Sequence, residues 1–231
     1  MPGTSAMFAA GTAFRDRRDA GRQLAARFKC MGLLQPVVLA LPRGGVPIGY
    51  EIATALDAPL DVLMVRKLGA PGYEELAIGA VMDGTTPRTV LNAEAIAELS
   101  VTPTYLAQEC ERQLREMERR RELYCSGQAP IPWRGRTVIV VDDGIATGST
   151  VRVALQGLAA GGAARLIVGV PVAPAEPLAL LSSDADEIVC LHTPAHFSSV
   201  GQFYATFDQT SDAEVIELLA ARRSASTSAK A

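Results

Sequence analysis

The sequence predicts an α/β fold, a doubly wound and mainly parallel sheet flanked by helices. Short Val/Ile/Leu runs of strand length recur at Val37–Leu41, Asp61–Val65, Thr137–Val141 and Leu166–Val172. Segments of helical period alternate with them, and Gly- or Pro-bearing loops follow the first three. A strand without polar alternation must be buried on both faces, and a parallel sheet covered by helices provides that burial.

The first element is an amphipathic helix over Arg15–Phe28, where Ala20, Leu24, Ala25 and Phe28 recur at helical spacing among charges. Val37–Leu41 is then a strand ended by Pro42, and Val46–Leu56 has the period of a helix. Asp61–Val65 reads as the next strand, before a stretch punctuated at Gly69, Pro71 and Gly72. Pro103–Tyr124 is a charged helix whose Arg119–Arg121 run reads as a solvated face. Thr137–Val141 is a strand leading through a Gly-rich loop into a helix over Thr150–Ala160, and Leu166–Val172 repeats the strand pattern. Ser211, with Glu214 three positions on, has the spacing of a capping box at a final helix. With neither repeat nor linker in view, one domain over 1–231 is expected. Its ordered core spans 15–221, and a Ser/Ala/Lys-rich flexible tail spans 222–231.

Composition excludes several classes. With 22 Lys+Arg against 25 Asp+Glu, the whole protein has no basic field for nucleic acid, so any anionic ligand must be met by local groups. No uncharged apolar run approaches the roughly 20 residues needed to span a bilayer, and no membrane association is expected. The N-terminal stretch lacks the basic region of a secretory signal. Cys30, Cys110, Cys125 and Cys190 are scattered without a C-x-x-C, which fits reduced thiols, and a cytoplasmic location is expected.

Ligands of open parallel sheets bind beyond the carboxyl ends of the strands, and three informative loops follow strands here. The third, Asp142–Thr150, sets two carboxylates before small and hydroxyl residues that run into a helix start. Helix N-terminal amides with the hydroxyls of Thr147, Ser149 and Thr150 suit a phosphate, and Gly148 permits close backbone approach. Asp142 and Asp143 would repel that phosphate but suit hydroxyl groups and a hydrated Mg²⁺, which together describe a ribose 5-phosphate. Arg43, Gly44 and Gly45 in the first loop, with Arg66 and Lys67 in the second, offer cations and bare amides to a second anionic centre such as pyrophosphate.

Val138–Thr150, VIVVDDGIATGST, resembles the phosphoribosyl-diphosphate-binding signature of type I phosphoribosyltransferases, and LPRGG resembles that family's pyrophosphate loop. Arg66–Gly84, Pro171–Pro174 and Phe197–Asp212 resemble a bacterial subgroup of the family, fused in some cases to hydrolase domains. The resemblance implies Mg²⁺-dependent transfer of the 5-phosphoribosyl group from phosphoribosyl diphosphate to a nitrogen acceptor, with a nucleobase as the first candidate. It implies that Asp142 and Asp143 hold the ribose hydroxyls, directly or through the Mg²⁺ shell, while Ala146–Thr150 cradle the 5-phosphate. Arg43 and Gly44 would contact pyrophosphate, commonly beside a cis or strained peptide, and Lys67 would neutralise the leaving group. Arg66 is a weaker candidate, because neighbouring strand residues point to opposite faces.

Leu68–Ile78 falls where the family often has a mobile flap, though its composition equally fits a surface loop; Glu74 and Glu75 are candidate contacts. Residues 192–210 correspond to the small hood over the acceptor, where Phe197 and Tyr204 either pack in a core or stack on a planar acceptor. Ala146 replaces the acid that six-oxopurine transferases commonly carry, which argues against hypoxanthine, guanine or xanthine. Gly144 replaces a more usual aliphatic residue and is expected to loosen the loop. Family members are often homodimers.

A ligand-sensing regulator that keeps the site without the chemistry is the alternative, and a hydrolase would need a positioned water and base that the sequence does not reveal. His192 and His196 have a metal-ligand spacing, but Pro194 between them disfavours a regular helix, so a loop or hood role is expected.

Overall fold

The structure is a computed structural model and describes residues 13–84 and 87–228. The N-terminal stretch that bears on a secretory signal lies outside the described residues. In chain order the elements are α1 (Arg17–Lys29), β1 (Val37–Ala40), α2 (Gly45–Ala55), β2 (Leu60–Val62), β3 (Val65–Ala70), β4 (Tyr73–Met82), β5 (Arg88–Leu91), α3 (Ala93–Glu98) and α4 (Pro103–Cys125). There follow β6 (Thr137–Val141), α5 (Ser149–Ala160), β7 (Arg165–Val172), α6 (Ala175–Leu181), β8 (Glu187–His192) and α7 (Asp212–Ser228).

Five strands pair parallel in the order β2-β1-β6-β7-β8. The period of two sorts their side chains onto two cores. Val38 and Ala40 pack with Phe28, Ile48, Ile52 and Leu219 on one face, while Val37 and Leu39 pack with Val151, Leu155 and Leu158 on the other. This double burial is why the runs carry no polar alternation. Phe28 is fully buried, and truncating it to Ala would cost about 3–5 kcal/mol through the lost transfer energy and the cavity left behind.

Side-chain caps mark the helix starts, and α1 begins two residues later than expected. The Asp16 carboxylate caps α1 by accepting the Asp19 N–H at 2.7 Å, and Thr102 caps α4 just before Pro103. Ser211 accepts the Glu214 N–H at 3.1 Å, the capping-box bond expected from their spacing.

Elsewhere the structure corrects the sequence reading. The strand expected over Asp61–Val65 stops at Val62, and Val65 begins a separate antiparallel sheet ordered β3-β4-β5. The segment expected as flap or loop is therefore a β-ribbon whose turn holds only Pro71 and Gly72, the latter at φ 75°. Its register shifts around Gly69. The side chains of Glu74 and Glu75 lie outside the described residues. β8 had no sequence expectation. Arg121 is not on a solvated face, because its guanidinium is paired internally with Asp61 and Asp83, each at 2.7 Å. Helix α7 continues to Ser228, past the start expected for a flexible tail, because buried Arg222 donates to the Ala58 carbonyl at 2.8 Å and to Asp57 at 2.6 Å.

Candidate functional site

The loop after β6 is built by contacts from both sides. Val141 ends a fully buried stretch, Ile145 donates its N–H to the Val172 carbonyl at 2.9 Å, and Gly148 begins α5 at φ 79°, a left-handed conformation that favours glycine. Between these anchors Ala146, Thr147, Ser149 and Thr150 are exposed, with the Thr147 and Ser149 hydroxyls 3.3 Å apart. The first N–H groups of α5 lack intrahelical acceptors, and they open beside these hydroxyls.

Asp142 and Asp143 stand at the loop's start. The Asp143 N–H donates to the Asp142 carboxylate at 2.8 Å. Burial, followed by the charge of Asp143, pushes the Asp142 carboxyl well above the usual carboxylate range. Burial also raises Asp143, against the pull of Arg17. Arg17, at the start of α1, directs both Nε and Nη2 at Asp143 Oδ2, each at 2.8 Å. It also donates to the Asp208 carbonyl at 2.6 Å and lies 3.9 Å from the centroid of the Phe207 ring. Sequence reasoning missed Arg17. The only signal was an Arg among several at a helix start, 126 positions from its partner.

The loop after β1 meets the acid loop directly. A Cβ on Gly44 would overlap the Asp143 carboxylate, so glycine is needed for this approach. The Pro42–Arg43 peptide is cis. Two expectations change here. Gly45 donates its N–H to the Leu41 carbonyl at 3.0 Å, so that amide does not face a ligand. Arg43 turns toward the start of α7, its Nη1 3.5 Å from Asp212, a carboxylate that also accepts the Tyr124 hydroxyl at 2.7 Å.

A cleft of about 770 Å³ opens between the ribbon, α4 and the hydroxyl loop. It brings Arg66 and Lys67 together with Thr147, Ser149 and Thr150, so both basic residues reach one cavity despite being adjacent on β3. Glu109, Arg112 and Gln113 of α4 form the facing wall, which the sequence reading did not single out. Glu109 is almost fully buried. Burial would raise its carboxyl, but bonds from Arg112, Gln113 and the Gly69 amide outweigh it and hold the group below the usual range.

The aromatic segment supports the acid loop from behind. Tyr204 is 5% exposed between Phe14 and Phe207, and its hydroxyl donates to the Asp143 carbonyl at 2.6 Å. Its ring therefore offers no open face for stacking on an acceptor. Burial, and then the charge of Asp143, raises its pKa. Phe197 is half-buried and stacks on Phe203 with centroids 5.7 Å apart. His192 ends β8 with its ring edge-on to Phe203. Gly144 does not loosen the loop; a Cβ there would come within 2.5 Å of Val200, so the missing side chain lets residues 200–203 pack against it.

Residues 18–207 match the phosphoribosyl transferase domain family. Two curated proteins of Mycobacterium tuberculosis, Putative phosphoribosyl transferase Rv0571c of strain H37Rv and Putative phosphoribosyl transferase MT0597 of strain CDC 1551, are each 47% identical over 206 residues. Those alignments cover 89% of this chain but 46% of the relatives, so the chain spans about half their length. Among solved structures, TT1426 from Thermus thermophilus is 41% identical with a TM-score of 0.79, covering 89% of this chain and 97% of that one.

Proposed function

Because the chain belongs to the phosphoribosyl transferase domain family, we propose that it transfers the 5-phosphoribosyl group of phosphoribosyl diphosphate to a nitrogen acceptor and releases pyrophosphate. One observation carries this reading. Two carboxylates with spare acceptor capacity open the same loop whose hydroxyls face Lys67 and Arg66 across a cleft. That arrangement separates a hydroxyl-binding end from an anion-binding end, as a phosphorylated ribose requires.

In this mechanism the 5-phosphate lies on the Thr147–Thr150 amides and hydroxyls, and Asp142 with Asp143 accepts the ribose hydroxyls. Arg17 holds Asp143 in place by occupying Oδ2, which leaves Oδ1 to the ligand. Lys67 and Arg66 stabilise the charge that develops on the departing pyrophosphate, so the protein needs no covalent nucleophile. Arg43 joins them by leaving Asp212, a partly exposed contact that costs little to break.

Among the described residues no group of three His, Cys, Asp or Glu forms a metal cage. Two adjacent carboxylates, one of them already engaged by Arg17, instead suit Mg²⁺ held mainly by water and ligand oxygens. Asp142 and Asp143 would hold it through water or the ribose hydroxyls. When bound, the ion supplies further charge neutralisation of the diphosphate.

The acceptor we favour is a nucleobase other than a six-oxopurine, because exposed Ala146 offers no acid to such a ring. Phe197 is the remaining aromatic candidate to meet it. Arg43 resting on Asp212 is the observation on the side of a ligand-sensing regulator, which would have no need of a pyrophosphate-binding arginine.

Calorimetric titration of phosphoribosyl diphosphate, with and without Mg²⁺, into the wild type and the Asp142→Asn/Asp143→Asn variant tests the donor site. The expected result is Mg²⁺-dependent binding lost in the variant, followed by pyrophosphate release when nitrogen acceptors are added. Binding without release across nucleobases would favour the regulator, and no binding to folded wild type would end the reading.

A further inference from the structure

Arg66, one of the two cleft cations, is held from α4. Its Nε donates to Gln113 Oε1 at 3.0 Å, and among the described residues its terminal nitrogens have no other partner. Gln113 is itself 8% exposed and held in one orientation, because its Nε2 donates to Glu109 Oε1 at 2.8 Å. An amide whose NH₂ is committed to a carboxylate must present its oxygen on the other side, which is where Arg66 lies.

Glu109 is fixed in turn. Arg112 donates to its two oxygens at 2.8 and 3.0 Å. Tyr105, one turn earlier on α4, donates its hydroxyl to the Gly69 carbonyl at 3.0 Å. Helix α4 thus holds the Gly69 carbonyl, at the register shift of the ribbon, and reaches Arg66 through Gln113.

This chain has a consequence for ligand binding. A flexible arginine loses rotamer entropy when it closes on an anion, whereas one already held at Nε keeps two free nitrogens for a bidentate contact at a smaller cost. We infer that Gln113, oriented by Glu109, is a positioning residue that presents the Arg66 guanidinium to an anionic group bound in the cleft opposite Thr147, Ser149 and Thr150. The inference rests on the proposed donor site. It adds α4, an element outside the three ligand loops, to the parts that set affinity for the diphosphate end of the donor.

The test titrates inorganic pyrophosphate and, separately, phosphoribosyl diphosphate into the full chain as wild type, Gln113→Met, Arg66→Ala and the double variant. Met keeps the length of Gln but removes the acceptor. The expected result is a roughly tenfold weaker pyrophosphate affinity for Gln113→Met, about the worth of one charged hydrogen bond, with no further loss when it is added to Arg66→Ala. Gln113→Asn keeps the amide but falls one methylene short, and the same weakening is expected should the Met variant fold poorly. Unchanged pyrophosphate affinity in Gln113→Met, or a full additional loss on top of Arg66→Ala, would overturn the inference. Wild type that binds pyrophosphate with this coupling but ignores phosphoribosyl diphosphate would uphold the inference and end the donor reading. Donor binding that is insensitive to Gln113 would do the reverse, and a wild type that binds neither ends both.

Discussion

Two places in this fold set a pair of aspartates against arginine, and they are completed in different ways. At the carboxyl end of β6, among the described residues, Asp142 has one hydrogen bond, from the Asp143 N–H, and the Asp143 side chain is met by one arginine, Arg17. Near the carboxyl end of β2, Asp61 accepts from Arg121, Arg223 and the amides of Val62 and Ile131, while Asp83 accepts from Arg121 and the Met64 amide. The carboxylates of the second cluster are engaged by the protein on both oxygens and tie α4, α7 and the ribbon to the sheet edge, while Arg121 Nε stays buried without a partner among the described residues. The first keeps acceptor capacity beside an exposed loop. A buried carboxylate pair with acceptor positions left open is a candidate ligand site; one whose oxygens are all engaged by the protein acts as a structural brace.

The sharpest way to break this contrast is to neutralise each pair. Asp142→Asn/Asp143→Asn is expected to reduce transfer by at least about a thousandfold, roughly 4 kcal/mol, while thermal unfolding moves upward or stays put, because a strained burial of charge is relieved. Steady-state kinetics and a melting curve on the same sample decide it. Substantial residual turnover would contradict the assignment of this pair to the ligand. Asp61→Ala should do the opposite. Stability is expected to fall by about 3–5 kcal/mol in denaturant titration, because Arg223 loses the buried carboxylate it faces and Arg121 keeps only Asp83 of its two. A loss below about 1 kcal/mol would show that the cluster is no brace.

The two pairs also differ in how far the sequence reveals them. Asp142 and Asp143 belong to a local pattern in which strand, acids, hydroxyls and helix start follow one another within thirteen residues, so chain order alone assembles the site. Asp61 meets Arg121, Asp83 and Arg223 only through tertiary packing, and a run of three arginines on a charged helix looks solvated until the sheet edge is placed against it. The same holds for Arg17 and for the Glu109–Gln113 wall, whose spacing reads simply as pairs within a helix. The parallel strands β1, β2, β6 and β7 are legible because double burial makes them apolar runs. Strand β8 is not, because its residues are only partly buried and begin with Glu187 after a polar turn. The ribbon is hidden by glycines and alanines that keep the cleft open, where an ordinary strand would carry large residues.

Arg17 sharpens the comparison, since it makes the open pair half-closed. It links Asp143 to the Asp208 carbonyl and to Phe207, so its removal should disturb the acid loop and the neighbouring aromatic segment together. Arg17→Gln is expected to weaken donor binding by roughly ten- to a hundredfold, about 1.4–2.7 kcal/mol, and Arg17→Lys should recover part of this by restoring charge without the paired donors. Donor titrations on both variants provide the check. Equal affinities in wild type and Arg17→Gln would reduce Arg17 to packing alone.

The smallest expected effect probes the brace by pH. Burial raises the Asp83 carboxyl to about 6, against the pull of Arg121 and the Met64 amide. A carboxyl whose pKa is higher in the folded state binds its proton more tightly there than in the unfolded chain. Its contribution to stability is therefore greatest at low pH, declines as pH rises from about 4 to about 6, and is flat above. Between pH 4.5 and 6.5 the decline from this one group should be on the order of 1–2 kcal/mol. Denaturant unfolding of wild type and Asp83→Asn at several pH values isolates it, because every other group contributes to both curves. The difference between the curves should change across that window and level off above it, in favour of the Asn variant as pH rises. Parallel curves would mean that Arg121 keeps Asp83 ionised throughout, and the brace would then be an ion pair at every pH of the experiment.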